Sequence, residues 1–98
     1  MIHMQVIGKE GSIIKSLFRT AIHGKKIKSF KVVQVKGGMK IEHAKFMGSI
    51  KFIQKKNILF ATLLCNNKSK EWQILEAFIG RLTYHFKDRI AAINIQFE

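Results

Sequence analysis

The sequence predicts a two-layer α+β domain, a mostly antiparallel sheet with two helices on one face, in the order β-α-β-β-β-β-α-β. Three observations carry this expectation. Apolar residues recur at helical spacing in two stretches, around residues 13–22 and 72–86. They alternate or run together at strand spacing almost everywhere else. The 98 residues, 47% hydrophobic and without proline, suit one core and hence one domain spanning 1–98.

Residues 2 to 7 are the first strand, ended by Gly8. Ser12 stands where a helix N-cap belongs, and Ile13, Ile14, Leu17, Phe18, Ala21 and Ile22 then fall within one half of a helical wheel. Gly24 is placed to stop that helix. From Ile27 the period drops to two. "IKSFKVVQVK" and "MKIEHAKF" flank Gly37-Gly38, a two-residue hairpin signal because both positions tolerate φ > 0. Phe30 and Val32 share one parity and Val33 and Val35 the other, which implies either a bulge near Val32 or a strand covered on both faces.

After Gly48-Ser49 come the strand "IKFIQ", the polar turn Lys55-Lys56-Asn57, and "ILFATLLCN", an apolar run of the kind found at a sheet centre. Ser69 is placed to cap the second helix, whose stripe is Trp72, Leu75, Phe78, Ile79, Leu82 and Phe86, running to about Lys87. Tyr84 lies opposite Trp72 on that helix. The closing "IAAINIQF" alternates Ile93, Ile95 and Phe97 against Ala92, Asn94 and Gln96.

Charge is the strongest compositional fact. Eighteen Lys+Arg against six Asp+Glu give a net charge of +12, which favours polyanionic partners. Ten lysines, Lys25, Lys26, Lys28, Lys31, Lys36, Lys40, Lys45, Lys51, Lys55 and Lys56, face a single acid, Glu42, in the middle of the chain. From Glu71 onward the balance is nearly even. The expected function is therefore a small, non-enzymatic nucleic-acid-binding protein, contacting RNA or DNA phosphates through a lysine-rich sheet or edge. Base stacking would need an exposed aromatic on the same strands, and Phe30, Phe46 and Phe52 are the candidates.

"VIGKEGSIIK" resembles the GxxG signature of KH domains, in which an apolar pair precedes Gly-x-x-Gly and an Ile-Lys pair follows on a helix. The resemblance implies a candidate anion-binding turn at Gly8, Lys9, Gly11 and Ser12. It covers ten residues, only seven residues precede Gly8, and Glu10 inside the loop repels phosphate. The residues themselves favour a strand, a glycine turn and a helix entry.

Two other function classes compete. A protein-interaction or assembly module, homo-oligomeric, would use the charge for solubility or for an acidic protein partner, and the apolar excess and exposed sheet edges predict a homodimer. A small ribonuclease is the weaker alternative. His3, His23, His43 and His85 form no metal-ligand or acid–base signature, and His85 with Asp88 at i, i+3 is the nearest pair. The sequence thus assigns no catalytic residue, metal or cofactor. Cys65 reads as a small buried hydrophobe. The longest apolar run, Ile58 to Cys65, is far short of a membrane span. Met1-Ile2-His3-Met4-Gln5 has no leader-like character, so the expected location is cytoplasmic, without membrane binding.

Overall fold

The computed structural model describes residues 1–36 and 38–98. The elements follow the expected order: β1 (Ile2–Gly8), α1 (Ile14–His23), β2 (Phe30–Val35), β3 (Gly38–His43), β4 (Ser49–Lys55), β5 (Ile58–Leu64), α2 (Lys68–Phe86), a 3₁₀ turn at Lys87–Arg89 and β6 (Ile90–Phe97). All six strands join one antiparallel sheet in the spatial order β2-β3-β4-β5-β1-β6. The first strand is therefore inserted between β5 and the last strand.

Every second side chain of the sheet points toward the helices and makes the core. Ile2, Met4 and Val6 of β1 stand beside Leu59, Ala61 and Leu63 of β5, then Ile50 and Phe52 of β4, Met39 and Ile41 of β3, and Phe30 of β2, all buried. Ile14, Phe18 and Ala21 of α1 and Ile74, Leu75, Phe78 and Leu82 of α2 close over them. Phe18 is the hub of an aromatic cluster, 5.3 Å from Phe78, 5.8 Å from Phe52 and 6.1 Å from Phe30 between ring centroids. Burying each such ring contributes roughly 1.5–3 kcal/mol.

The helix ends differ from expectation, each for a local reason. Ser12 does not cap α1; its N–H donates to Lys9 O at 2.9 Å inside a turn. Ile13, at 41% exposure, takes the N-cap position without a side-chain cap, and Lys15 N–H donates instead to Gln54 Oε1 of β4 at 3.1 Å. Gly24 still has a negative φ, and the left-handed residue is Lys25, at φ 61°. Lys25 N–H donates to Ile22 O and Lys26 N–H to Ala21 O, the paired bonds of a Schellman stop. Asn67, not Ser69, caps α2, its Oδ1 accepting from Ser69 N–H at 3.0 Å and Lys70 N–H at 3.3 Å. Trp72 leaves the predicted stripe: at 51% exposure it stacks on Phe97, ring centroids 5.1 Å apart.

The β2–β3 hairpin closes with Val35 opposite Gly38, which places Gly38 in the strand; Gly37 lies outside the described residues. The register of β2 runs without a bulge from Phe30 to Val35. Val33 and Val35 are half-buried on the face away from the helices. Among the described residues, no helix is long and apolar enough to cross a membrane.

Candidate functional site

With both helices on one side, strand alternation leaves the other side of the sheet open. Lys31 of β2, Lys40 of β3 and Lys51 and Lys55 of β4 all project there. The ladder places Lys31 opposite Glu42 and Lys40 directly opposite Lys51. Glu42 serves two lysines: its Oε1 is 3.6 Å from Lys31 Nζ and its Oε2 3.8 Å from Lys40 Nζ. Lys51 and Lys55 have no acidic partner within 4.0 Å among the described residues.

The remaining predicted lysines do not join this row. Lys36 and Lys56 sit in the β2–β3 and β4–β5 turns at one end of the sheet, Lys56 with φ 54°. Lys25, Lys26 and Lys28, between α1 and β2, and Lys45, in the β3–β4 loop, lie at the opposite end. The ten lysines thus resolve into a central row of four and two terminal groups.

Base stacking would need an exposed aromatic on these strands, and none of the three candidates supplies one. Phe30 and Phe52 are buried in the core. Phe46 is half-buried and stacked on His43, centroids 4.8 Å apart, with Lys70 Nζ 4.9 Å above its ring. Phe60 of β5, itself half-buried, lies on the open face, opposite Ile53 of β4 and Gln5 of β1, with Lys55 Nζ 5.9 Å from its ring centroid. Its parity marked it: Leu59, Ala61 and Leu63 are core, so Phe60 and Thr62 face the other way. Treating the apolar run as covered on both faces concealed this.

Phe60 forms part of a hollow of about 320 Å³ lined also by His3, Gln5, Thr62, Asn94 and Gln96. Three carboxamides converge there, each carrying donors and an acceptor. His3 forms one rim, with Thr62 Oγ1 3.4 Å from its Nδ1 and Glu98 Oε2 3.4 Å from its Nε2.

The turn resembling a KH loop is used internally. Gly8 N–H donates to Asn57 O at 2.7 Å, Lys9 N–H to Arg89 O at 2.8 Å and Ser12 N–H to Lys9 O. Asn57 Nδ2 returns a bond to Gly8 O at 2.9 Å. Three of the four backbone donors are therefore occupied by protein. Gly8 admits no side chain, since a Cβ would lie 2.7 Å from Ser12 O, and Gly11 adopts φ 81°.

His43 organises the β3–β4 loop. Its Nδ1 accepts from Lys45 N–H at 3.0 Å and Phe46 N–H at 3.3 Å. Burial, then the nearby Lys45 charge, holds its pKa below the ordinary histidine value, which keeps the accepting nitrogen unprotonated. His85 has a buried Nε2 without a partner, and no hydrogen bond joins it to Asp88 among the described residues. Cys65 is half-buried, its thiol donating to Met47 O at 3.1 Å and Asn67 O at 3.4 Å. Among the described residues, no group of three His, Cys, Asp or Glu side chains is arranged to hold a metal ion.

No protein-family model, curated protein or solved structure matches the chain. The geometry of the open face is accordingly the basis for a functional reading.

Proposed function

We propose that the open face of the sheet binds single-stranded nucleic acid, RNA or DNA. Lys31, Lys40, Lys51 and Lys55 contact successive phosphates and Phe60 offers a stacking surface for a base. The observation that carries this reading is the facing pair Lys40 and Lys51, with Lys55 of the same row at the ring of Phe60, on a face whose strands carry Glu42 as their one carboxylate. Like charges directly opposite in a sheet disfavour the fold, whereas a bound polyanion relieves their repulsion and releases counterions. An open sheet face with an aromatic and a polar hollow suits splayed, unpaired bases better than a duplex groove.

A second reading has its own support: Ile53 and Leu64, at 42% and 43% exposure, lie on the same face, with Val33, Val35 and Ile58 half-buried around them. An acidic protein surface with apolar side chains would fit that mixture.

Fluorescence anisotropy with a mixed-sequence 20-nucleotide single strand, titrated across a range of KCl concentrations, separates the two. Four phosphate contacts predict a log–log salt slope of about −3. Lys40→Glu with Lys51→Glu should abolish binding, whereas Lys25→Glu with Lys26→Glu, the same change in net charge, should weaken it far less. Absence of binding at low salt would overturn the nucleic-acid reading.

A further inference from the structure

The sheet has two free edges, and they are built differently. β2 carries Lys31 within the strand and Lys28 and Lys36 just beyond its ends, the charged guarding that keeps an edge from pairing with another chain. β6 reads "IAAINIQF", eight residues with no charge, no glycine and no proline. Its one irregularity is a register shift against β1 that skips Ala91, and from Ala92 to Phe97 the pairing is regular. That segment presents a straight, unguarded edge.

The helical layer covers this edge only in part. α1 packs against β2, β4 and β5, and α2 against β5, with α2 reaching β6 through Trp72. The helix-side row of β6 is consequently half covered: Ile93 and Ile95 are half-buried, and Phe97 is 55% exposed with Trp72 stacked on it. Trp72 and Phe97 form an aromatic pair with one side toward solvent.

Charge selects the occupant of this edge. Two copies at +12 each repel one another over most of their surface. The lysine row lies on β2 to β4, at the far side of the sheet. Near β6 the ionised groups are mixed: Lys87, Asp88 and Arg89 precede the strand, Glu98 follows it 3.4 Å from His3, and the buried Glu71 stands 3.4 Å from the Met1 amino group. The β6 side is thus where two such basic chains can approach without lysine facing lysine. A polyanion, by contrast, finds no lysine row there.

We propose that β6 is a homodimer interface, in which a second copy of this chain adds its own β6 antiparallel to the first. The two-fold axis runs through the sheet near Asn94 and Ile95. Because side chains alternate strictly, only registers that put Ile93, Ile95 and Phe97 of both copies on the same side bury the apolar row. The two Trp72–Phe97 stacks then flank the seam, as aromatic anchors do in protein interfaces. The result is one continuous twelve-stranded sheet with isologous contacts. This inference is independent of what the open face binds.

Sedimentation equilibrium over about 1–200 μM tests it. The full chain should approach twice its 11.3 kDa mass as concentration rises. Asn94→Lys, at an exposed position beside the axis, should weaken dimerisation at least tenfold, and Gln34→Lys on β2 should leave it unchanged. Circular dichroism monitors folding of both variants. Oxidised Asn94→Cys in a Cys65→Ser background should cross-link as a covalent dimer, and Gln34→Cys in that background should not. A chain monomeric at 200 μM, a dimer indifferent to Asn94→Lys, or cross-linking through Gln34→Cys would each overturn the proposal.

Discussion

Lys40 of β3 and Lys51 of β4 stand directly opposite one another across the antiparallel ladder, on the face that carries no helix. Directly opposed like charges are destabilising, and converting them to an ion pair gains roughly 0.2–1 kcal/mol. Lys51→Glu should therefore raise the urea midpoint while lowering affinity for a single-stranded oligonucleotide. A variant more stable and equally tight in binding would remove Lys51 from the interface.

Phe60 gives an independent handle on the same face. Stacking of a base on an aromatic ring contributes about 1–3 kcal/mol, so Phe60→Leu should weaken oligonucleotide binding by roughly 5- to 150-fold with little change in the salt slope. Lysine substitutions should change the slope. Unchanged affinity in Phe60→Leu would restrict the interaction to phosphates.

His43 links loop structure to pH. Its pKa is depressed in the folded chain relative to the unfolded one, because burial and Lys45 both disfavour the imidazolium. The unfolded chain therefore binds more protons as pH falls below about 6.5. Stability is fully present above that value and declines as pH drops toward the depressed folded pKa, below which no further loss follows from this group. His43→Asn retains an acceptor for the Lys45 and Phe46 amides without a titrating group. Denaturation midpoints between pH 7.5 and pH 5 should fall less steeply in that variant than in the parent, whose other histidines are shared by both.

The two glycines of the opening turn should respond differently to alanine. At Gly8 a Cβ meets Ser12 O at 2.7 Å and Asn57 O at 3.3 Å, both backbone atoms. Gly8→Ala should cost about 1–3 kcal/mol by overpacking. Gly11→Ala has open space and incurs the left-handed strain at φ 81°, about 1–2 kcal/mol. Oligonucleotide affinity of either folded variant should match the parent, since this turn bonds internally. A specific loss of affinity in Gly11→Ala would return the turn to the binding surface.

Lys25 holds the left-handed position that ends α1, where glycine is the unstrained choice. Lys25→Gly should raise stability by roughly 0.5–1 kcal/mol, the relief of left-handed strain less the entropy cost of glycine. Thermal unfolding would read it as a modest increase in Tm.

The order of elements was legible because periodicity reports burial, and full burial falls on the helix-facing side of the strands, as in β1, β3 and β4. The caps were not legible. Ser12 and Ser69 have the right chemistry for N-caps, but the turn bond from Ser12 N–H to Lys9 O and the two amides taken by Asn67 assigned those roles elsewhere. Trp72 fitted the helical stripe by spacing, yet it stands at the margin of the helical layer, half exposed, and stacks on Phe97 of the edge strand. At the site, the sequence supplied the lysine count. Strand pairing alone determined which four share a face, since Lys31, Lys40, Lys51 and Lys55 belong to three different strands and only register relates them. Phe60 was hidden for the opposite reason: an apolar run gives no alternation to read.

The unequal treatment of the two sheet edges sets a limit on growth. A chain with pairing-competent edges on both sides adds copies without end, because each addition exposes a fresh acceptor. If β6 pairs with its symmetry mate as proposed, the edges left at both ends are β2, each guarded by Lys28, Lys31 and Lys36. Assembly through strand addition would then terminate at two chains. Lys31, which also charges the open face, would with Lys28 and Lys36 stand between this protein and a filament.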